Sequence, residues 1–255
     1  MKIQVALVLT LCALLPRLTF SQSERRETVS QQIQWFSLTN NFKVSKRVTV
    51  VAEGQFRFAN ELQPMQFQFR TAGEIQVRKN LSIVPVGYVY TWNPIYGKQP
   101  AQFVNNEHRI FQQVLFKHQS GRFNISHRGR LEQRFIEVHT MHNGEVTYQG
   151  YDYYANRFRY RLMVNVPLNT REVGTRTLFA SFYDEVFLSW GPRVTYNKPD
   201  QNRVFMGIGY QLHKDFLITS GLVYQMLVKA NGTMQENNFG FQISATHNID
   251  LTNSL

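Results

Sequence analysis

The sequence holds one cysteine, Cys12, and it falls within the first 21 residues. Met1–Ser21 has the form of an export leader: Lys2 at the start, an apolar run from Ile3 to Leu15, and small residues Thr19 and Ser21 before a cut at Gln22. The exported chain is therefore expected to carry no disulfide, no thiolate nucleophile and no cysteine metal site. Beyond the leader no apolar stretch approaches the roughly 20 residues that a helical span requires. No stretch of helical period with caps competes with strand patterns after residue 21. Acids are also scarce, 17 against 28 basic residues, for a formal charge of +11. The bases are spread along the chain at strand spacing, with no nucleic-acid-binding fold, so nucleic acid is not an expected partner. No metal site and no cofactor is expected.

What is present is alternation, clearest from Glu107 to Phe135. Its second half places Arg122, Asn124, Ser126, Arg128, Arg130, Glu132 and Arg134 at even positions. Phe123, Ile125, Leu131 and Phe135 stand at odd ones. A period of two puts one set on each face of a strand. Arginines spaced two apart cannot lie dry without partners, because an unpaired buried charge costs several kcal/mol, of the order of ~5. They need water or carboxylates, while the opposite face needs a hydrophobic phase.

The same pattern recurs over 33–42, 48–58, 66–77, 81–92, 156–166, 177–190, 201–212, 216–227 and 239–246. Tyr88, Tyr90 and Trp92 at the end of one strand suit an interfacial girdle. Asp184 falls on an apolar face, a position that alternation does not account for. Connections alternate between short (44–47, 78–80, 118–121, 213–215) and longer (59–65, 93–106, 137–150, 191–200, 230–237), and 167–176 is long for its short slot. This is the plan of an all-β, antiparallel, up-and-down transmembrane β-barrel of 10–12 strands, with short turns on the periplasmic side. Ten strands follow from Val48 onward, and the segment around Trp35 makes an odd eleventh. An even count would need either a further strand from 22–30 or the Trp35 segment outside the wall. The expected organisation is a leader at 1–21, a polar segment at 22–30 and one barrel domain over 31–255.

Five stretches together resemble a family of uncharacterised outer-membrane barrels of Bacteroidetes-type bacteria, filed as a domain of unknown function. They are VNNEHRIFQQVLF (104–116), RGRLEQRF (128–135), NRFRYRLMVNVPL (156–168), FYDEVFLSWG (182–191) and QNRVFMGIGYQLHKDF (201–216). The resemblance spans most of the exported chain. It implies an outer-membrane β-barrel and no established activity. The chain departs from many outer-membrane proteins at its C-terminus, which ends Asn253-Ser254-Leu255 without an aromatic residue.

The polar faces collect Arg57, Arg70, Arg109, Arg128, Arg130, Arg134, Arg157, Arg159, Arg161 and Arg203 against Glu53, Glu74, Glu107, Glu132 and Glu185. Arginine suits sites where a planar fork binds carboxylates. In a small barrel these residues are expected to form a lumen charge network that plugs the interior, or, through their positive excess, a narrow passage favouring small anionic solutes. Outer-membrane lipid and lipopolysaccharide are the expected surroundings. An enzyme acting on lipid or envelope components is the alternative. Ser126 and His127 are adjacent, however, so a strand points them to opposite faces. His139, His142, Glu145 and Asp152 sit near a presumed outer loop, where histidines are more often simply solvated. A soluble, lipocalin-like exported barrel is a further alternative, and it requires apolar faces inward and charged faces outward.

Overall fold

The computed structural model describes residues 26–98 and 102–252. The leader at 1–21 and the terminal Asn253-Ser254-Leu255 lie outside the described residues. The chain forms β1 (Glu27–Val29), β2 (Gln32–Lys43), β3 (Val48–Ala59), β4 (Gln63–Arg78), β5 (Leu81–Asn93), β6 (Asn105–Ser120) and β7 (Phe123–Ile136). It continues with β8 (His139–His142), β9 (Glu145–Tyr148), β10 (Tyr153–Pro167), β11 (Thr177–Trp190), β12 (Pro199–His213), β13 (Phe216–Val228) and β14 (Met234–Asp250). No helix occurs among the described residues. Each long strand pairs antiparallel with its neighbour in the chain, and β10 pairs with β7 across the small β8–β9 hairpin.

The sheet closes through β14, which pairs in parallel with both β1 and β2. The register is continuous across the two: Glu27 faces Met234 and Gln32 faces Phe239. β1 and β2 are thus one wall strand, and the twelve paired segments make eleven strands. Neither expectation for an even count holds. The Trp35 segment is in the wall, and Glu27–Val29 lengthens that same strand rather than adding another. The physical reason is parity. With an odd number of strands, first and last run in the same direction, so they can join only in parallel. The inward face of this seam is joined by polar pairs. Ser37 Oγ donates to Ser244 Oγ at 2.8 Å, Asn41 Nδ2 to Asn248 Oδ1 at 2.8 Å, and Lys43 meets Asp250 at 3.0 Å. Gly240 lets the seam close, because a Cβ there would run into the backbone of Ile33.

Connections at one rim are 44–47, 79–80, 121–122, 168–176 and 214–215. The other rim carries 60–62, 94–104, 137–152, 191–198 and 229–233. Two differ from the sequence expectation. The stretch at 59–65 is a tight turn of 60–62, with Asn60 and Leu62 at positive φ (51° and 60°). The stretch at 137–150 holds the β8–β9 hairpin.

The wall's two faces follow the alternation. Leu38, Phe56, Phe69, Val114, Met206 and Leu222 stand outward and exposed. This is the reverse of a lipocalin-like arrangement, since the charged faces point in. Outward rings form a chain across five strands. Phe241, Phe36, Phe58, Phe67 and Trp92 follow one another at centroid separations of 5.8, 6.1, 5.5 and 5.2 Å. Asp184 does face outward, half-buried, and accepts a hydrogen bond of 2.7 Å from Asn202 Nδ2 on the adjacent strand. That bond satisfies part of the carboxylate, where an unpartnered polar group would cost most.

The parallel closure makes a direct prediction. Ser37→Cys with Ser244→Cys places two thiols on facing seam residues, at a strand spacing compatible with disulfide geometry. Oxidation of the folded double variant should yield an intramolecular disulfide that survives denaturation, seen as altered mobility without reductant. Failure to cross-link would refute the parallel seam.

Candidate functional site

The lumen is organised by two glutamates. Glu132 on β7 is 0% exposed and Glu185 on β11 is 1% exposed. Glu132 takes Arg157 at 2.6 Å through one oxygen and Arg159 at 2.7 Å through the other. Arg130 stands 3.8 Å away. Glu185 takes Arg128 at 2.5 Å, Arg159 at 2.8 Å and Arg203 at 3.5 Å. Strand register brings them together. Arg157 is the cross-strand partner of Glu132, while Arg159 lies opposite Arg130 and Arg161 opposite Arg128. A third carboxylate, Glu107, takes both Arg109 and Arg134, each at 2.5 Å. These contacts use the guanidinium fork that motivates arginine over lysine at such sites.

Aromatic rings complete the interior. The Arg57 guanidinium lies 4.5 Å from the Trp35 ring and Arg203 lies 4.7 Å from the same ring. Arg203 is also 5.2 Å from Phe187, and Arg159 is 4.6 Å from Phe187. Arginine and ring alternate here from β3 and β2 across the lumen to β12, β11 and β10, in the range where cation–π attraction operates. Two cavities flank this septum. The one toward the short-turn rim has a volume of about 970 Å³. The one toward the long-connection rim has about 580 Å³. Arg57, Arg159 and Arg203 line both.

At the long-connection rim the loop after β5 turns into the mouth. Tyr96 is 5% exposed and donates its hydroxyl to Glu236 at 2.9 Å, while Lys229 meets the same carboxylate at 2.7 Å. Burial, and then the Glu236 charge, hold the Tyr96 phenol well above its ordinary pKa, so it stays a donor.

The network residues named from sequence occupy different situations. Glu53 pairs with Arg70 and accepts from Thr39 Oγ1 at 3.2 Å. Arg57 has no carboxylate within ion-pair distance among the described residues, and donates to the amide oxygens of Gln66 and Gln55, both at 2.6 Å. Arg130 donates to Gln113 at 2.6 Å and lies 4.2 Å from the Phe111 ring. Arg161 makes no ion pair among the described residues and stands 5.7 Å from the Tyr183 ring. Glu74 is apart from the others, half-buried in a small depression with Lys43, Lys79 and Lys117 near the short-turn rim.

Several lumen residues have no counterpart in the sequence reading. Asp200, assigned there to a loop, is buried on β12, 3.5 Å from Arg157 and 3.9 Å from Arg134. Trp35, Phe111 and Phe187 are inward aromatics on strands whose inner face reads as polar. The alternative catalytic groups do not converge. Ser126 lines the larger cavity, while His127 bonds outward to the Tyr160 hydroxyl at 2.7 Å. Asp152 is held by Arg193, and His139 lies 3.7 Å from Glu137. No group of three or more His, Cys, Asp or Glu suited to a metal occurs among the described residues.

A family model described as "Protein of unknown function (DUF2490)" matches residues 33–237. No curated protein matches the chain. Among solved structures, one titled "NanC porin structure in rhombohedral crystal form" is similar at 11% identity and a TM-score of 0.47. That likeness covers 85% of this chain and 98% of the other, and is too distant to bear on function.

Removing a hub should cost more than removing a surface pair. Glu132→Gln leaves Arg157 and Arg159 without their shared carboxylate, a change of about 3–5 kcal/mol. The urea midpoint of the refolded barrel should fall accordingly, whereas Arg193→Ala at the exposed Asp152 pair should leave it unmoved. Equal midpoints for the two variants would show that the lumen network is not what stabilises the wall.

Proposed function

The chain belongs to the DUF2490 family, a family of unknown function, and we propose that it is a non-enzymatic outer-membrane barrel whose basic lumen admits small anions but is barred midway. The outward apolar face and its belt of rings support the membrane reading, with outer-membrane lipid and lipopolysaccharide as surroundings. The short-turn rim then faces the periplasm, and export proceeds through the leader at 1–21. The observation that carries the barred lumen is the septum of Arg57, Trp35, Arg203, Phe187 and Arg159 between the two cavities. On this reading, a solute entering from either rim meets stacked side chains midway.

A second reading, a narrow anion-conducting channel, draws on the same lumen. Arg57 and Arg161 lie inside without an ion-paired carboxylate among the described residues, and that excess would attract anions through a septum that yields.

Planar-bilayer recording of the refolded barrel distinguishes the two. The barred lumen predicts no steady current from the native sequence. Trp35→Ala combined with Arg203→Ala, verified as folded by its heat-modifiable band, should give steady anion-favouring current. Steady anion-selective current from the native protein would overturn the barred reading in favour of the channel.

A further inference from the structure

Arg128 and Arg161 are direct cross-strand partners, and both point inward. Like charges placed opposite each other on one face of a sheet repel. One rung away, the facing arginines Arg130 and Arg159 are compensated by Glu132. The rung of Arg128 and Arg161 is not compensated in the same way. Its neighbouring carboxylate is Glu185, the cross-strand partner of Arg161 on the other side. Glu185 already receives Arg128, Arg159 and Arg203, and no ion pair joins it to Arg161. A carboxylate offers about four lone-pair sites, so three guanidinium partners leave it little to give. The Nε atoms of Arg128 and Arg161 are buried without a hydrogen-bond partner among the described residues. Arg70, on β4, lines the same cavity of about 970 Å³. Its carboxylate, Glu53, also accepts hydrogen bonds from Thr39 and Gln55.

We propose that Arg70, Arg128 and Arg161 form a binding site for a phosphate group in the short-turn cavity. The proposal rests on the reading that the lumen admits small anions. Three forks contributed by three separate strands suit a tetrahedral dianion, which offers an oxygen in each direction. A single carboxylate carries one charge on two coplanar oxygens, so a phosphate is the better match to three forks. Binding would give Arg161 the directly contacting anion that it lacks among the described residues. The three arginines engage the phosphate group itself, whether it is free in solution or carried on a small solute.

The test is calorimetric titration of the refolded, detergent-held barrel with inorganic phosphate, with a sugar phosphate and with succinate, each against a chloride background. It requires no conduction, so a barred lumen and an absent site give separate results. Inorganic phosphate should bind, and succinate more weakly. Arg161→Gln should weaken phosphate by at least about tenfold, the loss expected for one charge-assisted contact. That substitution breaks no ion pair, so its heat-modifiable band should persist. Arg161→Lys, which keeps the charge and removes the fork, should give an intermediate loss and stands in if the glutamine variant does not fold. Binding of inorganic phosphate assigns the site to the free ion, and binding of the sugar phosphate alone assigns it to a phosphorylated solute. Equal binding of succinate and phosphate would overturn the ligand class. Absence of binding by both inorganic phosphate and the sugar phosphate, or binding unchanged by either Arg161 variant, would overturn the site.

Discussion

A guanidinium shut inside a closed sheet needs a carboxylate, an amide oxygen or an aromatic face, and the interior of this barrel is arranged around that need. Two glutamates, fully enclosed, bind arginines from three strands, and in doing so tie β7, β10, β11 and β12 to one another across the lumen. Such pairing is weak evidence for net stability, because desolvation offsets much of the attraction. Its structural effect is on geometry. Glu185 fixes the relative position of strands that are not hydrogen-bonded neighbours, since it holds Arg128 of β7 together with Arg203 of β12. Rings take over where carboxylates run out, and the alternation of arginine with Trp35 and Phe187 closes the middle of the lumen.

The faces of the wall were legible in the sequence. Arg128, Arg130, Glu132 and Arg134 lie on one side of β7 and Ile125, Leu131 and Phe135 on the other, as period-two alternation requires. The inward aromatics were not legible, because they stand where alternation leads one to expect polar residues. Phe111 lies over Gly87 and Phe179 over Gly209, each filling the space left by a glycine on the neighbouring strand. That pairing is a property of register, and a single strand's sequence does not contain it. Asp200 was lost for a related reason. Pro199 at the strand's first residue reads as a loop signal, although a proline is tolerated there.

The manner of closure was equally hidden. Eleven periodic stretches are countable in the chain, but nothing in any one of them states which partner its free edge will take. The closure shows only as a long-range coincidence, Ser37 with Ser244, Asn41 with Asn248 and Lys43 with Asp250, all at one constant separation in sequence. Asp184 shows the same limit on a smaller scale. Its partner, Asn202, is supplied by the next strand and compensates a residue that its own strand would reject.

The parallel seam also constrains how this architecture can grow or shrink. A hairpin gained or lost changes the tally of strands by two and leaves the first and last running the same way. Those polar rungs can then be retained. A single strand gained or lost reverses one edge against the other, and every rung built for same-direction pairing is lost at once. Lineages descended from such a barrel should therefore change size in steps of two, with the odd count passed on as an inherited trait.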